Sequence, residues 1–126
     1  MSPDAAVATK PVERTPEYSA EASRAEVLRN LIHALQSYPA RSDRREDRER
    51  FAELLESAQI VLEVEDEELA DRLGVSRPTI GRWVRGETAP HPIGRPGVLL
   101  ELADWASERL KILQRSYARR KAAVAA

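Results

Sequence analysis

Apolar side chains recur three and four positions apart through most of the chain. One run extends from Glu21 to about Ser37, a second follows a charged segment that ends at Arg50, and a third continues towards Ala118. This spacing is typical of amphipathic helices that bury one face, so the pattern predicts an all-α protein. The three stripes consist of Val27, Leu28, Leu31, Ile32 and Leu35, then Phe51, Leu54, Leu55, Ala58, Val61 and Leu62, then Leu99, Leu102, Ala106, Leu110 and Leu113.

Two short helices are predicted between the second and third stripes, on either side of Gly74. Leu69, Ala70 and Leu73 give the first of them one apolar face. Gly74 then stands where the end of a helix needs a left-handed backbone, which glycine adopts without a steric penalty. The first short helix is therefore expected to end there.

The second short helix is predicted to begin after Ser76, whose hydroxyl can accept a bond from a free backbone N–H of the first turn. Pro78 falls in that turn, where its missing N–H breaks no helical bond. Ile80 and Trp83 form the inward face. The residues left on the outer face are Arg77, Gly81, Arg82 and Arg85.

This segment resembles the helix-turn-helix of the Cro/lambda-repressor-like, or XRE-type, transcription regulators. The shared positions are Glu68, Leu69, Ala70, Leu73, Gly74, Val75, Ser76, Thr79, Ile80, Trp83 and Gly86, followed by Pro90. The resemblance implies a lambda-repressor-like five-helix DNA-binding domain. The first stripe then belongs to an additional N-terminal amphipathic helix outside that domain. The resemblance also implies that the second short helix enters the major groove of DNA.

The resemblance assigns roles position by position. The implied base contacts are Arg77, Pro78 and Arg82, and the implied phosphate contacts are Ser76, Thr79, Arg85 and, in the following loop, Arg95. His91 in the same loop is better explained as a turn residue between two prolines. The sequence departs from the family where Glu65 and Asp66 replace the usual Thr or Ser cap. It departs again at Gly81, because a glycine inside a helix lowers the stability of the helix by about 1 kcal/mol relative to alanine.

The chain divides into four parts. We expect a disordered tail at 1–20, the extra helix at 21–40, the DNA-binding domain at 43–118 with its helix-turn-helix at 66–86, and a basic flexible tail at 119–126. Asp43 is expected to cap the helix that contains Phe51. Whether the extra helix packs on its own domain or on a second copy is left open.

Composition limits the chemistry. The 126 residues include two histidines and no cysteine, so a zinc site is not expected, and no cofactor is implied. No arrangement of a nucleophile, base or phosphate loop is visible, so we do not expect an enzyme. No signal peptide or membrane span is visible either, so we expect a cytoplasmic protein encoded by a bacterium or a phage.

The net charge of −1 requires any attraction for DNA to be local. Cations are concentrated past Glu108, where they either contact DNA or merely complement the end of a helix. These cations are Arg109, Lys111, Arg115, Arg119, Arg120 and Lys121.

The sequence thus predicts a sequence-specific regulator of transcription that binds double-stranded DNA as a homodimer, most simply a repressor. The alternative is a protein-interaction adapter or antitoxin-type protein whose helical bundle docks a partner protein. Any effector is expected to be another protein, since no ligand-binding domain is visible.

Overall fold

The computed structural model describes residues 16–38 and 43–125, and all the regular structure in these ranges is helical. The helices are α1 (Pro16–Gln36), α2 (Arg45–Leu62), α3 (Asp66–Leu73), α4 (Arg77–Val84) and α5 (Arg95–Ala125). The all-α prediction is confirmed for this part of the chain. One of the five, α1, is the helix expected outside the DNA-binding domain. The described part of that domain therefore contains four helices, α2 to α5.

Helix α2 lies at the centre of the bundle. Its Phe51, Leu55 and Ala58 are completely buried, and they share one hydrophobic core with Leu99 and Leu102 of α5. Helices α3 and α4 add to the same core, so the helix-turn-helix is built onto α2. The remaining members of this core include Leu62, Val64, Leu69, Ala70, Ile80, Trp83, Ala103 and Ala106.

Helix α1 packs on its own domain. Leu28, Leu31 and Leu35 enter the common core, and α1 has its most extensive contact with α5. Tyr38, just beyond the end of α1, reaches Arg95 at the start of α5, while the other end of α1 meets the end of α5. The two helices are therefore antiparallel. Val27, expected in the buried stripe, is 47% exposed.

Two predicted helix ends are observed. Gly74 has φ 72° at the end of α3, and the Ser76 hydroxyl accepts a bond from the N–H of Thr79 at the start of α4. At the start of α3 the Glu65 carboxylate takes the place of the usual hydroxyl. It accepts a bond from the backbone of Glu68, whose own side chain accepts the N–H of Glu65 at 3.0 Å.

Other boundaries differ from the prediction. The tail expected at 1–20 lies outside the described residues as far as residue 15, and residues 16–20 belong to α1. Helix α5 continues to Ala125 instead of ending near Ala118, so residues 119–125 are helical. Asp43 does not cap α2: the capping position is Arg44, which makes no side-chain cap bond. None of the helices in the described ranges is long and apolar enough to cross a membrane.

Replacing Gly74 by alanine should lower the free energy of unfolding by about 1 kcal/mol, because alanine is strained at positive φ. An added Cβ would meet no atom within 4 Å there, so the cost is one of backbone conformation alone. Gly97→Ala is the matched control. Gly97 lies in α5 in equally open space without a positive φ, so alanine should stabilise the protein. Urea denaturation of both variants measures whether their changes in the free energy of unfolding have opposite signs. Equal changes would contradict the explanation from backbone conformation.

Candidate nucleic-acid interface

The position of α4 is fixed by its buried face. Ile80 is completely buried and Trp83 is 8% exposed. The Trp83 ring meets Phe51 of α2 edge to face, with 5.8 Å between ring centroids, and Tyr38 meets the same phenylalanine at 6.3 Å. A helix of eight residues is unstable in isolation, so this packing holds α4 in place.

The opposite face of α4 is open to solvent. Successive residues are about 100° apart around an α-helix, so five side-chain positions fall within an arc of roughly 140°. They are Arg77, Pro78, Gly81, Arg82 and Arg85, and all three arginines are exposed. Six of the seven predicted contact residues thus occupy this short helix and its ends, namely Ser76, Arg77, Pro78, Thr79, Arg82 and Arg85.

The N-terminal turn of α4 carries a short chain of polar contacts. The hydroxyl groups of Ser76 and Thr79 lie 2.7 Å apart, and Arg82 donates to the Thr79 hydroxyl at 3.4 Å. The first turn contains no acidic residue, whereas that of α3 contains three. Since the start of a helix favours anions, α4 presents the better of these two helix ends to a phosphate.

The outer arginines are not equivalent. Arg85 donates to Glu87 at 2.6 Å, and this bond holds the pKa of the Glu87 carboxyl below its ordinary value. Arg77 and Arg82, by contrast, form no ion pair with a carboxylate among the described residues. The exposed cations available on α4 without breaking an ion pair are therefore Arg77 and Arg82.

Gly81 lies beneath the Arg85 side chain. A Cβ added at Gly81 would come within 3.1 Å of the Arg85 guanidinium, the movable end of a flexible side chain, and it would meet no other group as closely. The fold itself therefore tolerates a side chain at this position. The glycine leaves the middle of the outer face of α4 flat.

Helix α3 is tied to α5 by Arg72. The guanidinium donates to Glu101 at 2.7 Å and to Glu108 at 2.9 Å, and it lies 5.0 Å from the centre of the Trp105 ring. The bond from Arg72 holds the pKa of Glu108 below its ordinary value. This contact could not be predicted from the sequence, because a single arginine among acidic residues on α3 looks like an ordinary solvated side chain.

Two of the cations past Glu108 have internal partners. Arg109 donates to the backbone oxygen of Leu62 at 2.8 Å, which satisfies a free carbonyl at the end of α2. Arg120 pairs with the buried Glu21 of α1. The basic segment at the end of the chain therefore holds the helices together as well as carrying charge.

Arg95 is not a surface residue, and its assignment to a phosphate contact is wrong for that reason. The residue is 1% exposed. Its guanidinium donates to the backbone oxygen of Pro90 at 2.8 Å and pairs with Asp43, and it lies against the Tyr38 hydroxyl. The bond to Arg95 holds the pKa of Asp43 below its ordinary value. Arg95 thus joins the loop before α5 to the segment before α2.

His91 acts as a turn residue, as the sequence suggests. Its ring nitrogen Nδ1 accepts a bond from the N–H of Ile93 at 3.2 Å. In the described part of the chain no group of histidine, aspartate or glutamate side chains could hold a metal ion.

The charge around α4 is mainly negative. Between residues 65 and 93 the chain contains six carboxylates and four arginines. Because Arg72 is bound to α5 and Arg85 to Glu87, the positive field is confined to a small part of the surface. Within this segment, any attraction for a polyanion must therefore come from the outer face of α4.

Comparison with known proteins agrees with this geometry. Residues 65–93 match the family model described as "Helix-turn-helix", so this segment is an XRE/lambda-repressor-like helix-turn-helix. The resemblance and the lambda-repressor-like helical fold expected from the sequence are confirmed on this basis. The match supports a DNA-binding regulator, and the matched family is one of DNA-binding regulators that are not typically enzymes. No curated protein and no solved structure matches the chain.

Replacing Arg95 by methionine should lower the free energy of unfolding by about 2 kcal/mol, because buried bonds to a charged group are lost. The same substitution at exposed Arg77 should change it by less than about 0.5 kcal/mol. Urea denaturation of the two variants measures the difference. If Arg95→Met left stability unchanged, the structural role of this arginine would be refuted.

Proposed function

We propose that the protein is a sequence-specific regulator of transcription that inserts α4 into the major groove of double-stranded DNA. One observation carries the proposal: a short helix, held by Trp83 and Ile80, exposes Arg77 and Arg82, and neither has a carboxylate partner in the described part of the chain. A pure protein adapter has no evident need for unpaired arginines on the outer face of a helix-turn-helix. The helix-turn-helix match supports the same assignment.

In this proposal Arg77 and Arg82 read base edges. The guanidinium fork fits the O6 and N7 acceptors of guanine, so preferred sites should contain G·C pairs opposite these two side chains. Pro78 lies between them on the same face and would contact bases through its apolar ring. Gly81 would let the backbone of α4 approach the floor of the groove.

Phosphate contacts would fix the register of α4. Ser76 and Thr79 offer their hydroxyl groups at the start of the helix. Arg85 would reach a phosphate only by exchanging its bond with Glu87. Arg95 is excluded from this set because its guanidinium is buried.

We further propose that the protein acts as a homodimer on DNA. A single module with so few base contacts has limited specificity, and two copies on half-sites about one helical turn apart would double the number of contacts. Regulation would then most simply be repression, since the bound dimer would block access to the promoter. The proposal places the protein in the cytoplasm of a bacterium or of a phage-infected cell.

A second candidate is an adapter or antitoxin-type protein whose bundle docks a partner protein. It is favoured by the excess of carboxylates over arginines between residues 65 and 93, since negative charge opposes DNA binding. The two candidates differ in their response to loss of Arg82. Only direct reading of DNA requires that side chain.

Arg82→Ala should reduce the preference for specific DNA by about 1–3 kcal/mol, because one bidentate base contact is lost. Fluorescence anisotropy with the duplex upstream of the gene and with a scrambled duplex measures this preference. Arg50→Ala is the matched control, since Arg50 is exposed on α2 and paired only with Glu53. The preference of Arg50→Ala for the specific duplex over the scrambled duplex should equal that of the wild type.

Equal weak binding of both duplexes by the wild type would contradict sequence-specific recognition. The same would hold if Arg82→Ala and Arg50→Ala changed the preference by the same amount. In either case the adapter candidate would be favoured.

The salt dependence of binding should be shallow. Each neutralised phosphate contributes a slope of about −0.9 to log K against log salt, and each protomer offers few unpaired cations on α4. Titrations between low and moderate salt should therefore give a slope of roughly −4 or shallower for a dimer. A much steeper slope would mean that cations beyond α4, such as Arg115 and Arg119 of α5, also contact phosphates.

A further inference from the structure

An apolar groove lies where α1, α2 and α5 meet, towards the end of α2. It has a volume of about 670 Å³, and its apolar lining includes Val27, Ile60 and Ile112. These side chains are unusually exposed for their type, at 47%, 69% and 60%. Exposed apolar side chains that gather in one groove are typical of a binding surface, whereas isolated ones are not.

The groove exists because the helices differ in length. Helix α2 has 18 residues and ends at Leu62, about 27 Å from its start, whereas α5 has 31 residues and extends about 47 Å. Beyond the end of α2, α1 and α5 continue as an antiparallel pair, and no other helix of residues 16–38 and 43–125 covers them. Two such pairs, packed face to face, make a four-helix arrangement that buries the exposed side chains of both.

The rim of the groove carries one free charge of each sign. Arg24 of α1 and Glu63 at the end of α2 both line it and are exposed, and neither side chain makes a hydrogen bond or ion pair with another described residue. The other two charged lining residues are already engaged, since Glu21 pairs with Arg120 and Arg109 binds the end of α2.

We propose that this groove binds a second copy of the chain, with Arg24 of each protomer facing Glu63 of the other. If the two copies are related by a two-fold axis through the groove, every contact occurs twice. Opposite charges on the two protomers then face each other, as an interface between identical surfaces requires. A strongly acidic or basic partner would favour a rim of one sign, which the groove lacks.

The groove leaves the DNA-binding face free. Its lining residues come from α1, α5 and the last part of α2. Ile60 lies about 14 Å along α2 from Phe51, the residue that holds Trp83 of α4. The groove therefore contains no residue of α4 and does not include its outer face. This inference gives a location to the homodimer proposed above and rests on that part of the proposal.

The test is sedimentation velocity over a range of protein concentrations, without DNA. The wild type should dimerise, and Arg24→Glu or Glu63→Arg should each weaken the dimer at least tenfold, because like charges then face each other twice. Combining Arg24→Glu with Glu63→Arg should restore dimerisation. Ile60→Lys should abolish it, whereas Leu100→Lys should not, since Leu100 is similarly exposed on α5 outside the groove.

The charge reversals concern solvent-exposed side chains, so the variants should keep their helical circular dichroism. A wild type that stays monomeric at all concentrations would overturn the inference and leave the groove to another occupant. A wild-type dimer insensitive to Ile60→Lys and to the charge reversals would overturn the location but not the homodimer. Neither outcome depends on DNA binding, which the Arg82→Ala comparison measures separately.

Discussion

The candidate interface depends on the burial of Trp83 and Ile80 against α2. Helix α4 has only eight residues and little stability of its own, so the direction of its outer face is set by what its inner face contacts. The edge-to-face contact between Trp83 and Phe51 provides that constraint. Because Phe51 also meets Tyr38, the same aromatic series connects the end of α1 to the helix proposed to read DNA.

Several of the protein's arginines serve structural purposes. Arg72 joins α3 to α5, and Arg95 joins two loops. Arg109 donates a hydrogen bond to a carbonyl oxygen at the end of α2. Arginine suits these positions because its planar group can donate several bonds in a fixed geometry while it stacks on an aromatic ring such as Trp105. The number of arginines in the sequence therefore overstates the positive charge available to DNA.

Local patterns predicted much of the fold. Gly74 and Ser76 mark the ends of α3 and α4 because the backbone requirements at these ends depend on neighbouring residues alone. The inward face of α4 followed from periodicity for the same reason. Arg95 and Asp43 could not be predicted in this way: they lie far apart in the sequence, and the packing of the bundle brings them together. The long C-terminal helix was also underestimated, because its contact with α1 is non-local.

The shortage of available positive charge explains why a second copy would matter to the proposed function. Because the segment that contains α4 has more carboxylates than arginines, general attraction to phosphates would contribute little, and affinity would have to come from a few directed contacts. Joining two modules makes the second binding step intramolecular and raises affinity without any new contact per module. A weak field combined with paired modules would disfavour random DNA more than the specific site, since only the specific site would engage both copies of α4. In this view the acidic residues of α3 improve specificity at the expense of total affinity.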